Sequence, residues 1–208
     1  MGDKKSELSL LSDMMGHYRM IRDEAKALAA VRDGVALISE LGIADTISAG
    51  TILINAATAM QSFGYAEESA VYYKQAENCY LKNLLPQDIR FAALYNNMAS
   101  SYIDQGKFEQ AEQFYLQAAE ILEKSGHWMD LAVTFINLAQ LYDGLAPEDS
   151  NIETCLDKAR SCFENDAVSR DGYYAHTCRK CASAFGYFGR FADEKELHKR
   201  ADIFYAGH

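Results

Sequence analysis

The sequence predicts an all-α chain made of repeated pairs of antiparallel helices. Three observations carry that prediction. Gly64, Gly106 and Gly189 each stand between two amphipathic stretches, 42 and then 83 residues apart. A second series, Gly34, Ala76, Ala118, Ala159 and Ala201, recurs at spacings of 42, 42, 41 and 42. A fixed period of this length marks a stack of supersecondary units that bury their apolar faces on one another. Finally, the 208 residues contain no run of alternating β-branched residues bounded by hairpin turns, so a sheet is not expected.

The small residues count five helix pairs in a single array over 1–208, at about 8–41, 50–83, 92–125, 132–166 and 175–208. In each second helix a larger residue precedes the small one by three: Val31, Tyr73, Tyr115, Leu156 and His198. That spacing puts both on one helical face. Toward the end of each first helix stands a bulky residue: Tyr18, Met60, Tyr102, Tyr142 and Phe185. A small residue lets neighbouring helices approach while bulky ones fill the remaining space. The first pair departs from the series at Gly34 and lacks the turn glycine. In the fourth pair Gly144-Leu145-Ala146-Pro147 replaces the glycine turn. Pro86 and Pro147, the only two prolines, fall between predicted helices, where a missing amide donor costs nothing.

Composition narrows the classes of function. Apolar residues make up 49% of the chain and charged residues 24%, which suits a folded protein with a sizeable core. The net charge of -10 disfavours nucleic acid and anionic membranes as partners. Charge is uneven: residues 104–166 carry thirteen acidic and four basic side chains, residues 170–200 seven basic and four acidic. A basic or polar partner segment is expected along the middle and something acidic near the end. No apolar run approaches the ~20 residues of a membrane span, and the start has no apolar export segment, so a cytoplasmic protein is expected. Five cysteines without a secretion signal read as reduced thiols.

The segment from Ala92 to Lys124 resembles a tetratricopeptide repeat at Tyr95, Met98, Ala99, Tyr102, Gly106, Phe108, Ala111, Tyr115 and Ala118. Leu131 to Phe163 is similar, through Phe135, Leu138, Ala139, Tyr142, Leu156 and Ala159. The ~42-residue period is longer than the usual repeat and resembles the kinesin-light-chain-like and bacterial branches of the family. The resemblance implies a right-handed superhelical solenoid whose first helices line a concave groove. It also implies a protein or peptide partner without naming one.

On the first helices one polar position recurs as Asn55, Asn97, Asn137 and then Lys180. Asparagine amides both donate to and accept from the backbone of an extended peptide. The same position could instead bond the preceding repeat and stabilise stacking. Thr58, Asn96, Ser100, Asp104, Gln140, Asp143, His176 and Arg179 are the expected groove neighbours. Relatives that clamp the carboxylate end of chaperones use basic residues in successive first helices. The corresponding places here, Ser12, Ile54, Asn96 and Ile136, are not basic, which argues against that use; Arg179 and Lys180 suit a single carboxylate or phosphate.

His176, Cys178 and Cys181 have the atoms of a zinc site, but the register places both cysteines toward the core and the histidine on the groove side. No phosphate-cradling loop, nucleophile elbow or His-Glu metal pair occurs, so neither a catalytic site nor a cofactor is expected. The reading is therefore a scaffold that holds a peptide in its groove. A peptide-sensing regulator is the alternative, and a metal-binding module or enzyme on the His176 cluster stands third. Phe204 and Tyr205 lie close to the chain end with no polar helix after them, so self-association through that end, or continuation in a longer array, is expected.

Overall fold

The computed structural model describes residues 2–207. Among them ten helices run in order: α1 Gly2–Met20, α2 Glu24–Glu40, α3 Ile47–Ser62, α4 Ala66–Asn83, α5 Ile89–Asp104, α6 Phe108–Ser125, α7 Trp128–Leu145, α8 Ser150–Glu164, α9 Gly172–Tyr187 and α10 Phe191–Ala206. No strand occurs among the described residues, and the fold is all-α. Most first helices begin three or four residues before the starts inferred from the core pattern, and α1 begins six before. For α3, α5 and α9 the cause is capping, which the apolar pattern does not register. Thr46, Asp88 and Asp171 each accept a hydrogen bond from a backbone N–H in the first turn of α3, α5 and α9.

The chain divides into two compact units, Met1–Ala111 and Glu112–His208. In the first, α1 packs on α2 and α3 on α4; α3 also lies against α1 and α2, and α5 against α3 and α4. In the second, α7 pairs with α8 and α9 with α10, and α9 lies beside α7. First helices thus lie side by side within each unit.

One local device turns the chain inside several pairs. The N–H of Tyr65, Lys107 and Arg190 donates to the carbonyls of Met60, Tyr102 and Phe185, around Gly64, Gly106 and Gly189 at φ of 91°, 70° and 75°. A positive φ at the residue just past a helix closes the free carbonyls, and glycine enters that region without strain. In the first pair Arg22 makes the same turn at φ 60°, and Asp23 N–H donates to Tyr18 O. The first turn therefore has the geometry of the others without their glycine.

The small-residue series lies in the core. Ala76, Ala118, Ala159 and Ala201 are fully buried. Gly34 is small because the tip of the buried Met15 occupies its side-chain space: a Cβ there would meet Met15 Cε at 2.6 Å. Aromatic contacts join successive pairs. The Tyr80 ring meets Phe91 edge-on at 5.7 Å between centroids, and Phe163 meets Tyr174 in the same way at 6.2 Å.

Asp88 shows how a cap ties folding to pH. Its carboxylate takes hydrogen bonds from the Arg90 guanidinium at 2.7 and 2.8 Å and from the Arg90 backbone N–H at 3.0 Å, which hold its pKa at about 2. A carboxyl whose folded pKa is depressed contributes stability above its unfolded pKa and loses it as pH falls toward the folded value. The contribution of Asp88 should therefore fade between the ordinary value of 3.8 and about 2. Asp88→Ala should cost about 1 kcal/mol at neutral pH, as for other lost N-caps. Urea unfolding of both proteins at pH 7 and below pH 3 should show the difference shrinking in acid.

Candidate functional site

Because the first helices lie side by side in each unit, polar residues on their shared side either bond one another or remain open. In the first unit several bond one another. Asn55 of α3 donates to the Ser12 hydroxyl of α1 at 2.7 Å. Gln61 of α3 donates to the Ser100 hydroxyl at 3.0 Å and to the Asp104 carboxylate at 2.6 Å, both on α5. Thr58 turns toward its own pair, bonding the Ile54 carbonyl and lying 3.1 Å from the Tyr73 hydroxyl. Asn96 donates to the Ala92 carbonyl one turn back. In the second unit Tyr187 donates to Asp143 at 2.8 Å, and Tyr173 donates to Asp130.

The remaining candidates are open. Asn97 and Asn137 are half-buried, and Gln140, His176 and Lys180 are exposed. None of these five side chains has a hydrogen-bond partner among the described residues. Arg179 is exposed but occupied: it bonds Asp202 at 3.0 Å and lies over the Tyr205 ring at 4.2 Å. The predicted set therefore separates into stacking residues (Asn55, Ser100, Asp104, Asp143), residues bonded within their own pair (Thr58, Asn96, Arg179) and open ones. Ser12, Gln61, Asp130, Tyr173 and Tyr187 complete the stacking bonds and were not foreseen in that role. The signal for them was available, since all the bonded pairs but Gln61–Ser100, which are 39 residues apart, are separated by about one repeat, 43 or 44 residues.

In the first unit α1 and α3 border an open depression of about 410 Å³ lined by Ser12, Asp13, His17, Arg19, Asn55 and Thr58, among others.

The cysteine positions bear on metal binding. Cys178 and Cys181 are buried, whereas His176 is exposed. No three His, Cys, Asp or Glu side chains cluster in ligand geometry among the described residues. Burial pushes the thiols of Cys155, Cys162 and Cys181 up to about 11, 12 and 12, and raises those of Cys79 and Cys178 as well. Since the thiolate is the reactive form, all five should resist a thiol reagent at pH 8 in the native protein and react together on unfolding. Fast native labelling at any of them would contradict this burial.

No helix among the described residues is long and apolar enough to cross a membrane. The tetratricopeptide-repeat family matches residues 90–146. Residues 90–146 carry tetratricopeptide-repeat sequence. The nearly identical TPR-like repeats of a kinesin light chain candidate from Podosopora anserina overlay 97% of this chain and 96% of their own, with a TM-score of 0.70 at 17% identity. BtubC (BKLC) from P. vanneervenii overlays 97% of this chain and 80% of its own, with a TM-score of 0.66 at 20% identity. At such identities these structures show a shared fold and nothing further. No curated protein matches the sequence. Tetratricopeptide folds generally serve as scaffolds for protein interaction.

Proposed function

We propose that the first helices of each unit hold an extended peptide segment of a partner protein, with the open amide of Asn97 in the first unit and that of Asn137 in the second each engaging peptide backbone. The supporting observation is the state of Asn97 on α5 and Asn137 on α7. Both are half-buried, and neither has a side-chain partner among the described residues. Asparagine inside a helix is intrinsically unfavourable, and these two amides keep their donors and acceptor open to a partner. A peptide backbone supplies both complements. Asn55 does not belong to this set, because Ser12 already occupies its amide.

In the second unit His176 and Lys180, exposed on α9, favour an acidic residue in the peptide. The role is binding rather than catalysis, and the five buried thiols fit the reducing cytoplasm.

Selection from a displayed random-peptide library tests this reading, followed by titration of the enriched peptides. Affinity should fall about fivefold or more in Asn97→Ala for a peptide held by the first unit and in Asn137→Ala for one held by the second, on the basis of roughly 1 kcal/mol per lost hydrogen bond. Asn55→Ala should leave it nearly unchanged. A library that yields no binder, or binders indifferent to both substitutions, would contradict binding at the first helices.

A further inference from the structure

The repeat register allows the exposed faces of α1 and α10 to be compared with the faces buried between pairs. Tyr80, Leu122 and Phe163 occupy one equivalent place in α4, α6 and α8, and all three are buried. Tyr80 and Phe163 pack edge-on against the first helix of the following pair. Tyr205 of α10 holds the same place and is 41% exposed. At the other end, Ile52, Leu94, Thr134 and Thr177 share an equivalent place on α3, α5, α7 and α9 and are 7%, 0%, 0% and 2% exposed. Leu10 of α1 holds that place and is 58% exposed. Each outer face thus presents half of the pair-on-pair contact that the chain makes internally.

Charge distinguishes a second copy from an arbitrary apolar partner. Inside the chain, Asn55 of one pair bonds Ser12 of the pair before it. The residue at the place of Ser12 in the last pair is Arg179, and the residue at the place of Asn55 in the first pair is Asp13. Continuing the same register from one chain into the next brings Asp13 to Arg179. It also brings Glu7, at the place of Phe91 and Tyr174, to Tyr205 and the guanidinium above it. Asp13 and Glu7 are exposed and have no ion-pair partner among the described residues. Opposite charges therefore meet where the internal contact uses neutral groups, with the Arg179 guanidinium, bonded to Asp202 at 3.0 Å in the single chain, shared between the Asp202 and Asp13 carboxylates.

We propose that the α9–α10 face of one copy docks on the α1 face of a second copy, head to tail, in the register of the internal pair-on-pair contact, with Tyr205 beside Leu10 and Arg179 paired to Asp13. A heterologous contact of this kind leaves one free face at each end of every assembly and so permits growth beyond a dimer.

Sedimentation velocity of the purified chain over a wide concentration range tests the proposal. Mass should rise with concentration beyond the monomer. Arg179→Glu and Asp13→Arg should each weaken association about tenfold or more, and the two together in one chain should restore it. Asp13 makes no internal ion pair among the described residues, so its variant reports on assembly even if Arg179→Glu disturbs α9. Leu10→Glu and Tyr205→Glu should each be monomeric alone and form a 1:1 complex, and nothing larger, when mixed. A monomer at every concentration would overturn the proposal. So would assembly indifferent to the charge changes, or a dimer that survives in Leu10→Glu alone.

Discussion

Phe163→Ala should destabilise the second unit by about 3–5 kcal/mol, the range for deleting a fully buried aromatic side chain. Phe163 is 1% exposed, and its ring lies edge-on to Tyr174. Its loss opens a void at the joint between the α7–α8 and α9–α10 pairs, where the structure relaxes only in part. The backbone at this residue is also engaged, because the Arg170 and Arg200 guanidiniums donate to the Phe163 carbonyl at 3.1 and 3.2 Å. Those two arginines fix the end of α8, so the helix cannot shift easily to fill the space. Phe163→Leu should recover more than half of the loss. Denaturant unfolding with the midpoint and slope compared across the three proteins measures this. A change below about 1 kcal/mol for the alanine variant would mean that the joint is not packed as described.

Arg190→Ala should cost about 2 kcal/mol, between the values for exposed and buried ion pairs. One guanidinium bonds Glu153 at 2.9 Å and Asp157 at 3.0 Å on α8, and Asp193 at 2.8 Å on α10. The arginine side chain is 21% exposed, so water screens the cluster only partly. Without it, three carboxylates face one another with Arg160, 3.4 Å from Asp193, as the nearest remaining cation. Arg190→Lys should recover no more than half, because a single ammonium cannot present the planar fork that serves three carboxylates at once. The cost should shrink in high salt for Glu153 and Asp157, whose side chains are open to solvent. Thermal melts at two ionic strengths decide the matter, and equal stability of the wild type and Arg190→Ala at low salt would contradict the clamp.

The parts of this molecule that were legible in its sequence are those set by residue size and helical period. Ala76, Ala118, Ala159 and Ala201 mark the core because a larger side chain has no room there, and size is written directly in residue type. Helix starts were less legible, since Thr46, Asp88 and Asp171 act through one hydrogen bond each and leave no trace in the apolar pattern. Arg22 illustrates the same limit: a positive φ is normally announced by glycine, and here surrounding contacts impose it on an arginine. Polar positions were legible as faces but not as states. Asn55, Asn97 and Asn137 share one register, yet only Asn55 meets a hydroxyl at the right distance, because Ser12 has the length and placement to reach it. Gln61 was missed because its reach to Ser100 and Asp104 depends on a long side chain extending past its own turn.

The measurement that tests the central claim most directly is site-specific photo-crosslinking with a selected peptide. A benzophenone side chain is placed either at Gln140, exposed on first helix α7, or at Leu116, exposed on second helix α6. Crosslinks to the peptide from Gln140 and none from Leu116 are the expected result. Crosslinks from Leu116 alone would contradict the account and move the binding surface to the second helices.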